Sequence, residues 1–155
     1  SQIDEVVTVM TSLNKKAKEV IENYDISACT DITGFGLIGH AMEMASSSQV
    51  TFEIDVHKVP YIDGALDIAK MGLVPAGTYN NKNYIENDVY SENIQEYFID
   101  ALYDPQTSGG LLITLPESKV ENIMKDFTNK NMETKVAVIG KVIEKQEKSI
   151  ILKNS

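Results

Sequence analysis

The stretch that most constrains this chain runs from Ala28 to Ala45 and reads ACTDITGFGLIGHAMEMA. A short β-prone segment, roughly Ser27 to Asp31, breaks into Gly34, Gly36 and Gly39 and then passes into apolar residues at helical spacing as far as about Ala45. A strand that ends on a carboxylate and turns through glycines into a helix sets an acid close to a cluster of backbone N–H groups.

Ile3, Val6, Val7, Met10, Leu13, Ala17, Val20 and Ile21 recur at three- and four-residue steps, which predicts one amphipathic helix from about Ile3 to Asn23. Val50, Phe52, Ile54 and Val56 alternate with Thr51, Glu53 and Asp55, the period of a half-buried strand. Helices are expected over Ile62 to Met71, closed by Gly72, and over Asn93 to Leu102. A strand is expected over Leu111 to Leu115, followed after Pro116 by a helix whose stripe is Val120, Ile123, Met124 and Phe127. From Gly72 to about Ser91 the periodicity fails, and the turn formers between Pro75 and Tyr84 predict a long loop, a kind that is usually functional or mobile. Two β-rich runs, Lys135 to Ile143 and Ser149 to Lys153, flank a charged turn and predict a terminal hairpin. Met10, Met42, Met44, Met71 and Met124 lie on apolar stripes and are expected in the core. The fold class is α/β (α+β), one mixed β-sheet flanked by helices, in a single domain over residues 1–155.

Composition narrows the ligands. The formal charge is -9, from 23 acidic against 14 basic residues, and every base is lysine. Without arginine there is no bidentate clamp for phosphate, and the acidic balance argues against a nucleic-acid binder that neutralises phosphates. An anion must be met by lysine, backbone N–H groups or a metal. Cys29 alone forms no internal disulfide, so a reduced cytoplasmic setting is expected. No run approaches the ~20 apolar residues of a membrane helix. The start, from Ser1 to Glu5, lacks the regions of a signal peptide. Because the chain opens without Met, directly in an amphipathic pattern, it is expected to be a fragment of a longer protein.

Gly34 to Gly39 spell a G-x-G-x-x-G after a predicted strand, with Glu53 and Asp55 about twenty residues on, the layout of a dinucleotide-binding module. Against that reading, Asp31 stands where a pyrophosphate wants only N–H groups, and Glu53 and Asp55 fall on the polar face of a strand, where solvated acids are ordinary. Asp31, beside the hydroxyls of Thr30 and Thr33 and the turn at Gly34, also suits Mg²⁺, which binds through one or two carboxylates plus substrate phosphates. A plainer role is that Asp31 or Thr33 caps the following helix. The second loop, Thr107-Ser108-Gly109-Gly110, has the makings of an anion-binding nest and equally of a loop-to-strand turn whose glycines supply positive φ. Cys29 is expected to be a small buried strand residue. His40 is expected on a helix surface or at an interdomain face, directed away from Gly34, and His57 takes no role. Lys15, Lys16 and Lys18 read as a solvated face.

The ACTDITGFGLIGHAMEMA run closely resembles the start of the C-terminal domain of the selenophosphate synthetase (selenide, water dikinase) family. Met10 with Leu13-Asn14-Lys15, Pro75-Ala76-Gly77-Thr78 with Asn80 to Asn83, and Asp104-Pro105-Gln106-Thr107-Ser108-Gly109-Gly110-Leu111-Leu112 agree with that family in order and spacing. The resemblance implies a C-terminal α/β domain of the aminoimidazole-ribonucleotide-synthetase-like superfamily. In that superfamily an N-terminal domain, which this chain lacks, dimerises, so the full protein is expected to be a homodimer. It further implies an ATP-dependent enzyme making selenophosphate, AMP and phosphate from ATP, selenide and water, for selenocysteine and selenium-modified tRNA. The family's reactive Cys or selenocysteine, its partner lysine and most nucleotide-binding residues lie in the N-terminal domain. No catalytic residue is therefore expected in these 155 residues, and the chain alone is expected to be inactive. By the same resemblance Asp31 is a Mg²⁺ ligand, with Thr30, Thr33, Gly34, Ser108, Gly109 and Gly110 as candidate contacts to ATP. The alternatives are the dinucleotide module, or a sister enzyme of the superfamily acting on a purine or thiamine precursor, which the G-F-G-L and D-P-Q-T-S-G-G runs disfavour.

Overall fold

The computed structural model describes residues 2–155; Ser1 lies outside the described residues. The fold is α/β, and its strands divide between two sheets where the sequence suggested one. Strand β2 (Val50–Asp55) lies inside a four-stranded mixed sheet of order β3 (Val89–Ser91), β6 (Ile150–Lys153), β2, β5 (Gly140–Glu144). Strands β1 (Ala28–Asp31) and β4 (Leu111–Thr114) form a separate antiparallel ribbon, with Ala28 opposite Thr114 and Asp31 opposite Leu111.

Helix α3 (Gly36–Ser47) covers the mixed sheet. Its Ile38, Ala41 and Ala45 are fully buried and belong to one core with Phe52, Ile54, Val56, Ile150 and Leu152. Each of the larger side chains in that core stabilises the fold by roughly 1.5–3 kcal/mol through burial. Alternation along β2 holds for its apolar residues, yet Thr51 and Asp55 are buried as well. Contrary to the expectation of solvated acids, the Asp55 carboxylate accepts from Ser155 Oγ at 2.8 Å and from the His57 amide at 3.0 Å, with Lys58 at 3.2 Å. Burial raises its pKa, but these partners outweigh that and leave it below the usual carboxylate value. Glu53 is held between Lys141 and Lys153. A strand with neighbours on both edges leaves its polar side chains little open solvent.

The expected terminal hairpin does not form. β5 runs antiparallel to β2 along one edge, and β6 runs parallel to it along the other. The Thr51 hydroxyl accepts from the Gln146 amide at 2.8 Å and donates to the Lys148 carbonyl at 2.7 Å. The charged turn is thereby pinned over β2, and β2 separates the two runs that would otherwise pair.

The predicted first helix is two. Helix α1 (Gln2–Thr11) buries none of its residues, and α2 (Lys15–Ile21) packs Ala17, Val20 and Ile21 against Ile123 and Phe127 of α7 (Val120–Asn129). At the break, the hydroxyls of Thr11 and Ser12 donate back to the carbonyls of Val7 and Thr8, at 2.7 and 2.6 Å. Without packing along its stripe, nothing rewards α1 for continuing through Leu13. Met10, and Met71 just after α4 (Ala65–Lys70), are accordingly exposed where core positions were expected, while Met42, Met44 and Met124 do pack against the cores.

The predicted loop from Gly72 to Ser91 is largely ordered structure: α5 (Ala76–Ile85), a single 3₁₀ turn and β3. Only Thr78 and Ile85 of α5 are buried, so the helix carries almost no apolar stripe for periodicity to detect. It docks on α6 (Glu96–Tyr103) through Lys82, which is paired with Glu96 and lies 3.6 Å from Asp100. Burial alone would lower the Lys82 pKa, but the two carboxylates hold it above the ordinary lysine value. Among the described residues no helix is long and apolar enough to cross a membrane.

Candidate functional site

The ribbon β1–β4 brings the two glycine loops together and locks them. The Ile32 amide donates to the Gly110 carbonyl at 2.9 Å, and the Gly109 amide returns a bond to the Ile32 carbonyl at 2.9 Å. The Thr33 carbonyl accepts from the amides of Gly36 at 3.0 Å and Gln106 at 3.1 Å. These bonds leave Ile32 buried, with Asp31 and Thr33 exposed on either side of it. The Asp31 carboxylate has no hydrogen-bond or ion-pair partner among the described residues.

Neither Asp31 nor Thr33 caps α3. Phe35 occupies the cap position and no side chain bonds the free amides there. The dinucleotide reading falls on topology, because among the described residues β1 pairs only with β4 and antiparallel, and they form no parallel β1–α3–β2 unit to carry a pyrophosphate. Gly36 serves close packing instead. Its φ is +69°, and a Cβ there would meet the Tyr103 and Asp104 backbone at 2.8–2.9 Å.

Ser108, Gly109 and Gly110 fit a turn better than a nest. Ser108 and Gly110 take φ of +60° and +85°, and the Gly109 amide is already bonded to Ile32. The loop also borders a groove of about 930 Å³ lined by apolar residues such as Phe52, Ile54, Leu102 and Leu112, poor surroundings for a polyphosphate. A Cβ on Gly109 would approach Gln106 Cβ to 2.8 Å and both Ile32 Cγ2 and the Ile32 carbonyl to 3.0 Å. Gly109→Ala is therefore expected to lower stability by about 1–3 kcal/mol, read as a depressed melting temperature. An unchanged melting temperature with weaker nucleotide binding would favour the nest instead.

Residues with no individual role assigned from the sequence hold these loops in place. Asn81 of α5 donates its side-chain amide to the carbonyls of Gly34 at 2.9 Å and Tyr103 at 3.0 Å. Asp104 accepts from Thr78 Oγ1 at 3.2 Å and Gln106 Nε2 at 2.9 Å. Burial is the larger influence on it and raises its pKa against those two bonds. The only sequence signal for this clamp was the PAGTYNN and DPQTSGG runs themselves, because apart from Gln106 with Asp104 the paired residues lie more than twenty positions apart.

His40 is not directed away from the loop. Its Nε2 lies 3.1 Å from Thr33 Oγ1, its Nδ1 lies 3.3 Å from Glu43 Oε2, and its side chain is only 12% exposed. Three and four residues of helix separate Gly36 from Gly39 and His40, but the loop folds back along α3 and meets the ring there. Phe35, half exposed, packs near both His40 and Tyr84. Cys29 is exposed and not buried as expected, because β1 is one of two strands in an open ribbon. Partial desolvation, and then the Asp31 carboxylate, push its thiol pKa up, which makes it a poor nucleophile. His57 bonds Asn154 at 2.7 Å and packs edge-on against Phe98. Thr30 places its hydroxyl 3.4 Å from the Asp31 carbonyl.

Among the described residues no three His, Cys, Asp or Glu side chains converge as a complete metal site. A free carboxylate flanked by hydroxyls nonetheless fits Mg²⁺, which keeps several waters and takes one or two carboxylates together with substrate phosphates. Asp31 could supply one such ligand.

The α/β domain thus sets two interlocked glycine loops beside an acid at a strand end that has no partner among the described residues. The chain belongs to the family described as AIR synthase related protein, C-terminal domain, whose model matches residues 1–153. It is 48% identical over 149 residues to a selenide, water dikinase of Clostridioides difficile, covering 95% of this chain and 42% of that protein. It is 45% identical over 149 residues to selenide, water dikinase 2 of Peptoclostridium acidaminophilum, covering 96% of this chain and 43% of that protein. The chain thus spans less than half the length of these curated relatives. Among solved structures it resembles E. coli HypE, a hydrogenase maturation protein, with a TM-score of 0.59 at 16% identity, over 92% of this chain and 37% of that one. That likeness concerns the fold.

Proposed function

We propose that this chain is the C-terminal domain of a selenophosphate synthetase, which converts ATP, selenide and water to selenophosphate, AMP and phosphate. The observation that carries the site assignment is the unpaired Asp31 carboxylate, set at the end of β1 beside the interlocked loops and unused by the fold. Identity near one half to proteins named selenide, water dikinase supports the reaction.

In this reading Asp31 holds Mg²⁺ against the ATP phosphates, with Thr30, Thr33 and the Gly34 turn forming the adjoining wall. Bound there, Mg²⁺ would neutralise the charge of the phosphates during transfer to selenide. Asp31 acts by charge and position and moves no proton. The Asn81 and Asp104 clamp fixes the loop, so that little reorganisation is needed when the ligand arrives. The nucleophile and most phosphate contacts come from outside these residues, from an N-terminal domain that also forms the homodimer, in the cytoplasm. An arginine-free, acidic domain is suited to that division, because it contributes a metal ligand and leaves phosphate neutralisation to others.

The test is phosphorus spectroscopy of ATP, Mg²⁺ and selenide with the protein that carries this sequence in the length of its relatives. Selenide-dependent AMP and a selenium-bonded phosphate are expected there, and neither from the 155-residue chain alone. ATP turnover indifferent to selenide would overturn the substrate assignment, and selenide-dependent AMP from the isolated chain would overturn the division of the site.

A further inference from the structure

The contacts of His40 suggest what kind of ligand the first loop is built to meet. A carboxylate accepts hydrogen bonds and donates none. Within the neutral ring, Glu43 Oε2, at 3.3 Å from Nδ1, therefore selects the tautomer that carries its hydrogen on Nδ1. In that tautomer Nε2 is an acceptor, so the contact at 3.1 Å has Thr33 Oγ1 donating its only hydrogen to the ring. Thr33 is then left with oxygen lone pairs alone to offer outward. Its neighbour across the buried Ile32 is Asp31, also an acceptor only and also exposed.

We infer that His40, set by Glu43, is a positioning residue that fixes the Thr33 hydroxyl as an acceptor, so that Asp31 and Thr33 together receive a hydrated divalent cation and not a bare phosphate oxygen. The cation side of a metal–nucleotide complex is what such a surface accepts, because coordinated waters donate hydrogen bonds and phosphate oxygens do not. This rests on the function proposed above for its reaction, but the tautomer does not. With Nε2 protonated instead, Thr33 would accept from the ring and turn its own hydrogen outward, and the loop would favour an anion.

Two measurements test it. Long-range proton–nitrogen spectra of the 155-residue chain at about pH 8, above the usual histidine range, should show His40 with its hydrogen on Nδ1; His57, the other of the two histidines, serves as the internal comparison. In Glu43→Ala the Nδ1–H share should fall while the melting temperature stays unchanged, since the Glu43 side chain is 55% exposed. An Nε2–H form in the unaltered chain, or a tautomer indifferent to Glu43→Ala, would overturn the positioning role. In the longer protein the same variant should raise the half-saturating Mg²⁺ concentration roughly 2- to 12-fold, the loss of one hydrogen bond's worth of affinity. A shifted tautomer with unchanged Mg²⁺ dependence would overturn the cation assignment. Absence of selenide-dependent turnover would count against the proposed reaction and leave the spectroscopic result intact.

Discussion

Replacing Gly36 with alanine is expected to cost about 3 kcal/mol or more, from a strained positive φ together with steric overlap. The overlap is with the backbone of Tyr103 and Asp104 at 2.8–2.9 Å, so no side-chain rotation relieves it. Either α3 shifts off the end of α6, or the turn that carries Thr33 and Gly34 opens. The measurement is thermal unfolding, where a loss of that size in a chain of this length corresponds to roughly 6–12 °C. Gly34 is the matched control, because a Cβ there meets nothing within 4 Å. Gly34→Ala should leave the melting temperature close to that of the unaltered chain, and equal effects of the two variants would show that Gly36 is not the packing point of the loop.

Replacing Asp31 with asparagine is expected to do the opposite: little to stability and a great deal to turnover. The side chain is exposed and bonded to no other described residue, so its removal should alter stability by no more than about 0.5 kcal/mol. If it holds Mg²⁺ against phosphate, loss of its charge should reduce Mg²⁺-dependent turnover of the longer protein by about 100-fold or more. The half-saturating Mg²⁺ concentration should rise with it. Normal turnover at ordinary Mg²⁺ would remove Asp31 from the site, and a large loss of melting temperature would make it a structural acid instead.

The two variants separate functions that the motif compresses into six residues. Asp31 faces solvent and serves a ligand, whereas Gly36 faces the protein and holds the turn. The sequence marked Asp31 as a candidate ligand but showed Gly36 only as one glycine of the G-x-G-x-x-G run. Gly109 and Gly110 looked like ligand contacts, and the Gly109 amide proved to be a partner of Ile32. A glycine-rich run tells that the backbone must pass closely or with unusual dihedrals, but not whether a ligand or another loop lies alongside.

What the sequence determined by itself was local. The strand ending at Asp31, the glycine turn, α3, the apolar alternation of β2 and the stripe of α7 are all present as read, because each is written in the spacing of adjacent residues. The class of fold followed from their order. Only the tertiary structure decided which strands pair: that β1 and β4 leave the main sheet, and that β2 inserts between β5 and β6 and abolishes the hairpin. It also decided that a polar segment becomes α5, that the helical stripe after Ile3 loses its partner and breaks, and that His40 reaches back to Thr33. These outcomes depend on contacts between residues far apart in the chain, such as Thr51 with Gln146 or Asn81 with Gly34. Local periodicity carries no information about them, since a strand or helix satisfies its own pattern equally well against several partners and only packing the whole chain selects one.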